Sequence, residues 1–575
     1  MRLQPIFDIA EICAQKGVSE AILCPGSRCA PLTLAFARHQ KINSKTISDE
    51  RSAAFIALGI ALATRNPVVL VCTSGSAAYN FAPAVAEAYF QKLPLIILTA
   101  DRPKEWIDQL DGQTIRQTQL YGSHTTGFYE LPYDLESPDS QWHINRIINE
   151  AINLSRGPEA GPVHINVPLR EPLYPDTADQ IHFSQDVRII REDRVSTTIT
   201  DDRLSELRKS FESLPKVVMV VGQSFPDKTL SDKLEQFSKA NHVPIIADIV
   251  SNQHSVEDVI AHSDLILSQR KPDLKKALQP DLLITIGKSV VSKNLKLYLR
   301  EYAPKHHWHI QESGQVADTF KSLTQIIRSS PRDFLDQFGA IVSGSQFESQ
   351  KRENFSRLWQ AEEHRVQRGI NAYFSKTELS EFHLVREVLT KLPANVPLHL
   401  ANSMAVRYAN FIGLDNQHNG VSIFCNRGTS GIDGCTSTAV GHALSTDDLT
   451  FLITGDMAFF YDRNAFWHNY KLSNLRIVIL NNHGGAIFKM IDGPGNVTEA
   501  DEYFITNQKL TARSLAQEFD FDYLKLDSLK KAKNLLKDFM EADGRTKILE
   551  VETTSALAKK TIDEFKEHIR KSHEA

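Results

Sequence analysis

Short apolar runs recur along the chain: Ala21 to Cys24, Val68 to Cys72 and Leu95 to Thr99; then Lys216 to Gly222, Val243 to Asp248 and Leu282 to Gly287; then Leu449 to Ile453 and Leu475 to Leu480. They are too short for buried helices and are bounded by turn-forming residues, which reads as strands buried on both faces. Segments of helical length lie between them, such as Ala53 to Ala63 and Phe460 to Leu472. Strand and helix in alternation predict parallel sheets covered by helices on both sides. The expected fold class is α/β, with three doubly wound parallel-sheet domains. The first is expected over 1–180, the second over 190–345 and the third over 370–575. The polar stretch Asp176 to Asp202 reads as a linker, and the charged segment Gln346 to Glu363 as the lead into the third block. The first and third blocks are candidates for related folds.

A chain of 575 residues is long enough for three or four cores. A formal net charge of −5 gives no general attraction to nucleic acid or to an anionic membrane, so any anion site must be local. The opening MRLQPIFDIAEICAQKG carries Asp8 and Glu11 within its apolar stretch and lacks a signal-peptide core. No apolar run reaches about 18 residues, so no integral membrane segment is expected, and a cytoplasmic location is. Cys13, Cys24, Cys29, Cys72, Cys425 and Cys435 form no Cys-x-x-Cys pair and read as reduced packing residues.

Chemistry is most legible between Thr450 and Ile487. Gly455-Asp456 ends one predicted strand and Asn481-Asn482 the next, with a helix between them. A right-handed crossover makes the two strands parallel and brings Asp456 and Asn482 out side by side at their carboxyl ends, where open α/β sheets bind ligands. Each dipeptide alone is an ordinary strand end. Together they offer hard oxygen ligands of the kind magnesium takes beside phosphate. Gly484-Gly485 could let the backbone approach closely, one carbonyl completing the coordination and nearby amides facing a diphosphate.

Arginines stand in loops at predicted strand ends: Arg28 in Cys24-Pro25-Gly26-Ser27-Arg28, Arg102 in Thr99-Ala100-Asp101-Arg102-Pro103, Arg407 shortly after Asn402-Ser403, and Arg427 in Asn426-Arg427-Gly428. Guanidinium forks suit carboxylates, so arginines gathered round one site would select multiply carboxylated substrates. In the middle block the turn Gly222-Gln223-Ser224 lacks a dinucleotide fingerprint. The one His-His pair, His306-His307, reads as surface.

The Gly455-Asp456 to Asn481-Asn482 arrangement resembles the thiamine diphosphate motif, usually Gly-Asp-Gly followed by Asn-Asn, with Met457 at the third position. That resemblance implies Asp456, Asn482 and the Gly484 carbonyl as ligands of magnesium, or of manganese in its place. A thiamine enzyme also needs a Glu against the aminopyrimidine ring, where it drives the proton relay through the cofactor. Glu50 in Ser48-Asp49-Glu50-Arg51-Ser52 fits, because it precedes the strand Val68 to Cys72 and the small-residue turn Thr73-Ser74-Gly75-Ser76 of what looks like the pyrimidine-binding half.

With Gln113-Thr-Ile-Arg-Gln117, Val163-His-Ile-Asn-Val-Pro168 and Asn426-Arg-Gly-Thr-Ser-Gly-Ile-Asp-Gly434 added, the chain resembles the 2-succinyl-5-enolpyruvyl-6-hydroxy-3-cyclohexene-1-carboxylate (SEPHCHC) synthase family. The likeness runs through all three blocks and implies domains of the thiamine diphosphate-enzyme type. It implies decarboxylation of 2-oxoglutarate and addition of the four-carbon carbanion to isochorismate, in menaquinone biosynthesis. By the same resemblance the catalytic residues are Glu50, Arg28, Gln113, Arg407 and Arg427. The cofactor is held by Ser74, Gly75, Gly455, Asp456, Met457, Asn482, Gly484, Gly485, Ala486 and Ile487, with Ile432 between its rings. Arg407, Arg427 and Ser403 take 2-oxoglutarate, while Arg28, Arg102, Ser27 and Gln113 take isochorismate. Lys293 is a further basic contributor, and Ile487, Phe488 and Ile491 wall the pocket. A homodimer or homotetramer with active sites at the subunit interface is implied. Two alternatives stay open: another thiamine diphosphate-dependent decarboxylase or carboligase, and a nucleotide-binding regulatory protein that has lost catalysis.

Overall fold

The apolar runs form the centres of three parallel sheets in a computed structural model that describes residues 3–174, 181–193, 198–339, 346–376, 378–415, 417–418, 420–491 and 493–572. The first sheet holds β1 (Glu20–Leu23), β2 (Asn43–Thr46), β3 (Val68–Cys72), β4 (Leu95–Asp101), β5 (Gly127–Glu130) and β6 (Pro162–Pro168), in the order β2-β1-β3-β4-β6-β5. The second holds β7 (Val217–Val221), β8 (Ile245–Ala247), β9 (Leu282–Ile286), β10 (His306–Ile310) and β11 (Gln325–Ile327), in the order β11-β10-β9-β7-β8. The third holds β12 (Pro397–Leu400), β13 (Ser422–Phe424), β14 (Thr450–Gly455), β15 (Leu475–Asn481), β16 (Asp522–Leu526) and β17 (Lys547–Glu552), in the order β13-β12-β14-β15-β17-β16. All pairings in the three sheets are parallel.

Counted from its own first strand, the third sheet repeats the order of the first, so the two blocks share one fold. In each the order reverses beside the opening strand, between β1 and β3 and between β12 and β14. The loops leaving those strands are Cys24 to Arg28 and Thr73 to Ser76 in one domain, and Asn402 to Arg407 and Asp456 onward in the other. These are the two crevices where doubly wound sheets take ligands, and Ser27, Arg28, Ser74, Gly75, Ser403, Arg407, Asp456 and Met457 stand there.

Three expectations are corrected, and the charged lead-in segment takes a defined form. The helix expected over Phe460 to Leu472 begins earlier, at Asp456–Tyr461, and gives way to a short 3-10 turn, Arg463–Phe466. The polar residues that should have continued it bond elsewhere: buried Asp462 accepts from the Ser437 N–H and hydroxyl, and the Asn464 amide donates to Asp49. The stretch Asp176 to Asp202 is not a free linker where it is described. Ile181, Phe183, Val187 and Ile189 pack on the first core, and the Ile190 N–H donates to Asn149 at 2.8 Å. Residues 176–180 and 194–197 of that stretch lie outside the described residues. The lead-in segment is one long helix, Gln346–Phe374. Finally, the His-His pair lies in β10, where neighbouring side chains face opposite ways. His306 is exposed, whereas His307 is buried against Thr285 and Ser322, and burial pushes its pKa down to about 4.

Helix Glu50–Thr64 of the first domain crosses helix Cys435–Ala443 of the third with almost no space between backbones. A Cβ on Gly59 would stand 2.1 Å from the Thr438 carbonyl oxygen, and one on Gly441 2.1 Å from that of Ile56. Neither backbone can yield without moving a domain. Gly59→Ala is therefore expected to cost about 3 kcal/mol and to lower the thermal midpoint. Gly112→Ala, with nothing within 4 Å of the new methyl group, serves as the neutral control. Equal midpoints for the two variants in differential scanning calorimetry would contradict the close-packed crossing.

Candidate active site

In the third domain β14 and β15 pair in parallel with Gly455 opposite Leu480, so Asp456 and Asn482 leave adjacent strand ends. Burial pushes the Asp456 carboxyl up to about 6, against a bond from Gln508 Nε2 (2.7 Å) and the N–H groups of Met457 and Gly484. The feature used from Met457 is its backbone N–H, which any residue supplies, so a Met in place of Gly leaves that donor intact. Asn481 is committed to the fold through Glu550 and the Leu510 carbonyl. Asn482 is different: its Nδ2 donates to Glu381 Oε1 at 2.8 Å, while its Oδ1 is buried with no protein partner.

Gly484 and Gly485 let the backbone approach other parts of the chain closely. The space beside Gly484 is filled by Ile505 and Asn507, and that beside Gly485 by the Phe488 ring, with the Gly485 N–H donating to Ile505. They let the turn pack onto the 500–507 segment. Open backbone lies instead at Gly455, where a Cβ would meet nothing within 4 Å. A buried carboxylate with an orphaned amide oxygen beside it fits a hard divalent cation, and the donors suit magnesium and manganese alike. Among the described residues no group of three or more His, Cys, Asp or Glu is placed to hold a metal.

Beside this seat stand the loops after β12 and β13. Ser403, at φ +72°, opens helix Met404–Ile412, and Arg407 Nη1 donates back to the Ser403 carbonyl. Arg427 Nη1 donates to Asn402 Oδ1 at 3.0 Å, and its Nε is buried without a protein partner. Burial, then the neighbouring Arg427, holds Arg407 below its usual pKa. Burial, with Arg427 and Arg407 nearby, does the same to Lys296. Among the described residues no carboxylate hydrogen-bonds any of the three. Lys293, the expected contributor, is exposed at the start of helix Lys293–Glu301. One turn on, Lys296 lies near Arg427 and Arg407.

The first domain gathers a second cluster. Arg28 is buried, with Nη1 donating to the Leu169 carbonyl and Nη2 paired with Glu171 at 3.2 Å. Burial and then Arg102 depress its pKa, which places the two guanidinium groups near each other. Arg102 pairs with Asp111 at 3.1 Å and keeps a buried Nε without a protein partner. Gln113, at φ +57°, lays its backbone against Gly75, and Ser27 stands 3.5 Å from the Tyr174 hydroxyl. The Ser74 hydroxyl is buried and unpartnered. Glu50 opens helix Glu50–Thr64 and accepts from Asn80 Nδ2 at 3.1 Å. Its neighbours Arg51 and Asp49 bond the Tyr461 carbonyl and the Asn464 amide of the third domain. Ile432 and Ile487 are half-buried against the third-domain core, and Phe488 packs near Phe504. Ile491 is 40% exposed in the single chain.

Comparison with known proteins adds two family matches. The thiamine pyrophosphate enzyme N-terminal TPP-binding domain matches residues 7–120, and the middle domain of thiamine pyrophosphate enzymes matches residues 184–400. Among relatives, the 2-succinyl-5-enolpyruvyl-6-hydroxy-3-cyclohexene-1-carboxylate synthase of Cytophaga hutchinsonii is 45% identical over 573 residues, covering 99% of this chain and 100% of that protein. The chain belongs to the SEPHCHC synthase family. The enzymes of the same name from Christiangramia forsetii and Flavobacterium johnsoniae are 36% and 38% identical, covering 97% and 95% of this chain.

Several residues around this family's site carry no local sequence signal. Glu381, behind Asn482, also accepts from Tyr408 and Thr553, and burial pushes it up to about 7. Its partner Asn482 lies 101 residues away. Gln508 supports Asp456 from a loop without a motif. Gln117, which accepts the Gly75 N–H at 2.9 Å, was within reach as the last residue of Gln113-Thr-Ile-Arg-Gln117.

Proposed function

We propose that the chain catalyses the thiamine diphosphate- and magnesium-dependent decarboxylation of 2-oxoglutarate and addition of its four-carbon remainder to isochorismate, giving SEPHCHC and carbon dioxide in menaquinone biosynthesis. The observation that carries this is the cationic group of Arg407 and Arg427, from the loops after β12 and β13, joined by Lys296 from a middle-domain helix, to which no carboxylate hydrogen-bonds among the described residues. Bound thiamine diphosphate supplies the electron sink for loss of carbon dioxide from a 2-oxo acid.

The chain's own residues do the rest. Asp456, Asn482 Oδ1 and the Gly484 carbonyl hold the cation, with manganese able to replace magnesium. Glu50 holds a proton at the aminopyrimidine ring nitrogen. In keeping with the family resemblance, a partner chain provides this glutamate, in a homodimer or homotetramer with active sites between subunits. Arg407 and Arg427, with Ser403 and Lys296, orient the 2-oxoglutarate carboxylates. Arg28 and Arg102, with Ser27 and Gln113, receive isochorismate, and Ile432 and Ile487 give the cofactor apolar support. We place the enzyme in the cytoplasm, in keeping with described helices none of which is long and apolar enough to cross a membrane.

Carbon dioxide release from 2-oxoglutarate and from pyruvate, with and without thiamine diphosphate, tests the reading in the parent and in Arg427→Ala. The variant should lose about tenfold or more in kcat/KM for 2-oxoglutarate and much less for pyruvate, which lacks the distal carboxylate. Equal loss for both substrates would remove the carboxylate clamp.

A further inference from the structure

The loop that carries Arg427 is seated on a buried carboxylate from another domain. Glu87 lies in helix Ala82–Gln91 of the first domain and is 1% exposed. Its Oε1 accepts the Gly428 N–H at 2.8 Å and Gln91 Nε2 at 2.6 Å. Its Oε2 accepts both the N–H and the hydroxyl of Thr429 at 2.6 Å. A side chain at Gly428 would meet the Glu87 carbonyl oxygen at 2.7 Å, so the glycine lets the loop descend onto the carboxylate. A carboxylate withdrawn from water is costly unless fully bonded, and bonds to an ionised acceptor are the strong ones. Three of these four bonds go to two consecutive loop residues, the first of which follows Arg427 directly.

The same loop is held from two further sides. In its own domain, Asn402 Nδ2 donates to the carbonyls of Asn426 and Gly431 at 2.7 Å, while Asn402 Oδ1 receives Arg427 Nη1. From the middle domain, Gln223 donates to the Cys425 carbonyl at 3.0 Å and to Gln91 Oε1 at 3.2 Å, and Lys288 donates to the Gln91 carbonyl. The backbone around Arg427 is thus fixed where all three domains meet. A guanidinium that must match a carboxylate in two directions depends on that fixation, since small displacements of a binding group are costly.

We propose that Glu87 is a positioning residue for Arg427: reaching across the domain boundary, it sets the peptide from 427 to 429 and thereby the place of the guanidinium that receives the 2-oxo acid. The assignment rests on the carboxylate-clamp reading given above. A merely structural Glu87 would lower stability and leave substrate discrimination alone.

The test uses the full chain with magnesium and thiamine diphosphate, comparing the parent, Glu87→Gln, Arg427→Ala and the double variant. Glu87→Gln keeps the shape but turns an amide group toward one of the loop donors. It should raise the KM for 2-oxoglutarate about tenfold while leaving that for isochorismate within about twofold. In the double variant it should add little to Arg427→Ala, because both changes act through one group. An unchanged KM for 2-oxoglutarate in Glu87→Gln, an equal rise for both substrates, or full additivity overturns the proposal. If Arg427→Ala itself leaves the 2-oxoglutarate KM unchanged, the clamp reading fails and the proposal with it. If Arg427→Ala raises the KM and Glu87→Gln does not, only the role of Glu87 falls. Should Glu87→Gln not fold, Thr429→Val removes one of the four bonds: a raised KM for 2-oxoglutarate supports the assignment and an unchanged one overturns it.

Discussion

Glu50→Gln is expected to bind thiamine diphosphate and magnesium as the parent does, yet to lose about 10²–10⁴-fold in turnover. The substitution keeps the side chain's size and an acceptor for Asn80 Nδ2, so the start of helix Glu50–Thr64, capped by Asp49, should not change. What disappears is the ability to exchange a proton with the ring nitrogen of the cofactor. The expected signature is therefore a fall in kcat with little change in cofactor affinity, measured by single-turnover kinetics beside equilibrium dialysis. Turnover near that of the parent would remove the proton-relay role, and loss of cofactor binding would reassign Glu50 to retention.

Asp456→Ala should show the opposite split. Removing the one carboxylate of the cation seat is expected to weaken magnesium-dependent cofactor retention by about a hundredfold or more. Stability without metal should not fall with it, because burial raises the Asp456 pKa to about 6 from an ordinary 3.8. A carboxyl with a raised pKa favours the fold while protonated, and its contribution declines as pH climbs from about 4 to 6. A bound cation reverses that cost. In the parent, magnesium should thus stabilise most above pH 6, and in Asp456→Ala neither the pH dependence nor the magnesium effect from this group should remain. Unchanged magnesium affinity in equilibrium dialysis would count against the seat.

The central strands could be read from the sequence because burial on both faces leaves mostly apolar residues in β3, β4, β7, β9, β14 and β15. Edge strands could not: β2 reads Asn-Ser-Lys-Thr and β5 Gly-Phe-Tyr-Glu, and both are held by one neighbour each. Asp456 and Asn482 stood out because each follows a strand whose end is legible, and the topology places Asp456, with Arg28 and Arg407, at the two switch points. Lys296 carries no local signal of its own: its nearness to Arg427 and Arg407 comes from the packing of the middle domain on the third. Glu87 was invisible for a stronger reason. Its loop partners lie 341 and 342 residues along the chain, and neither carries a side-chain pattern that announces an incoming carboxylate. His307 and the segment 181–193 show the same limit: polar letters were read as solvent-facing although the fold supplied them with buried partners.

The central claim, carboligation of a four-carbon unit onto isochorismate, is tested most directly by the mass of the product. Purified protein with magnesium, thiamine diphosphate, 2-oxoglutarate and isochorismate should consume the two substrates in equal amounts and release carbon dioxide in the same ratio. The new species should have the combined mass of the substrates less carbon dioxide. Carbon dioxide release with isochorismate recovered unchanged, or no release at all, would contradict it.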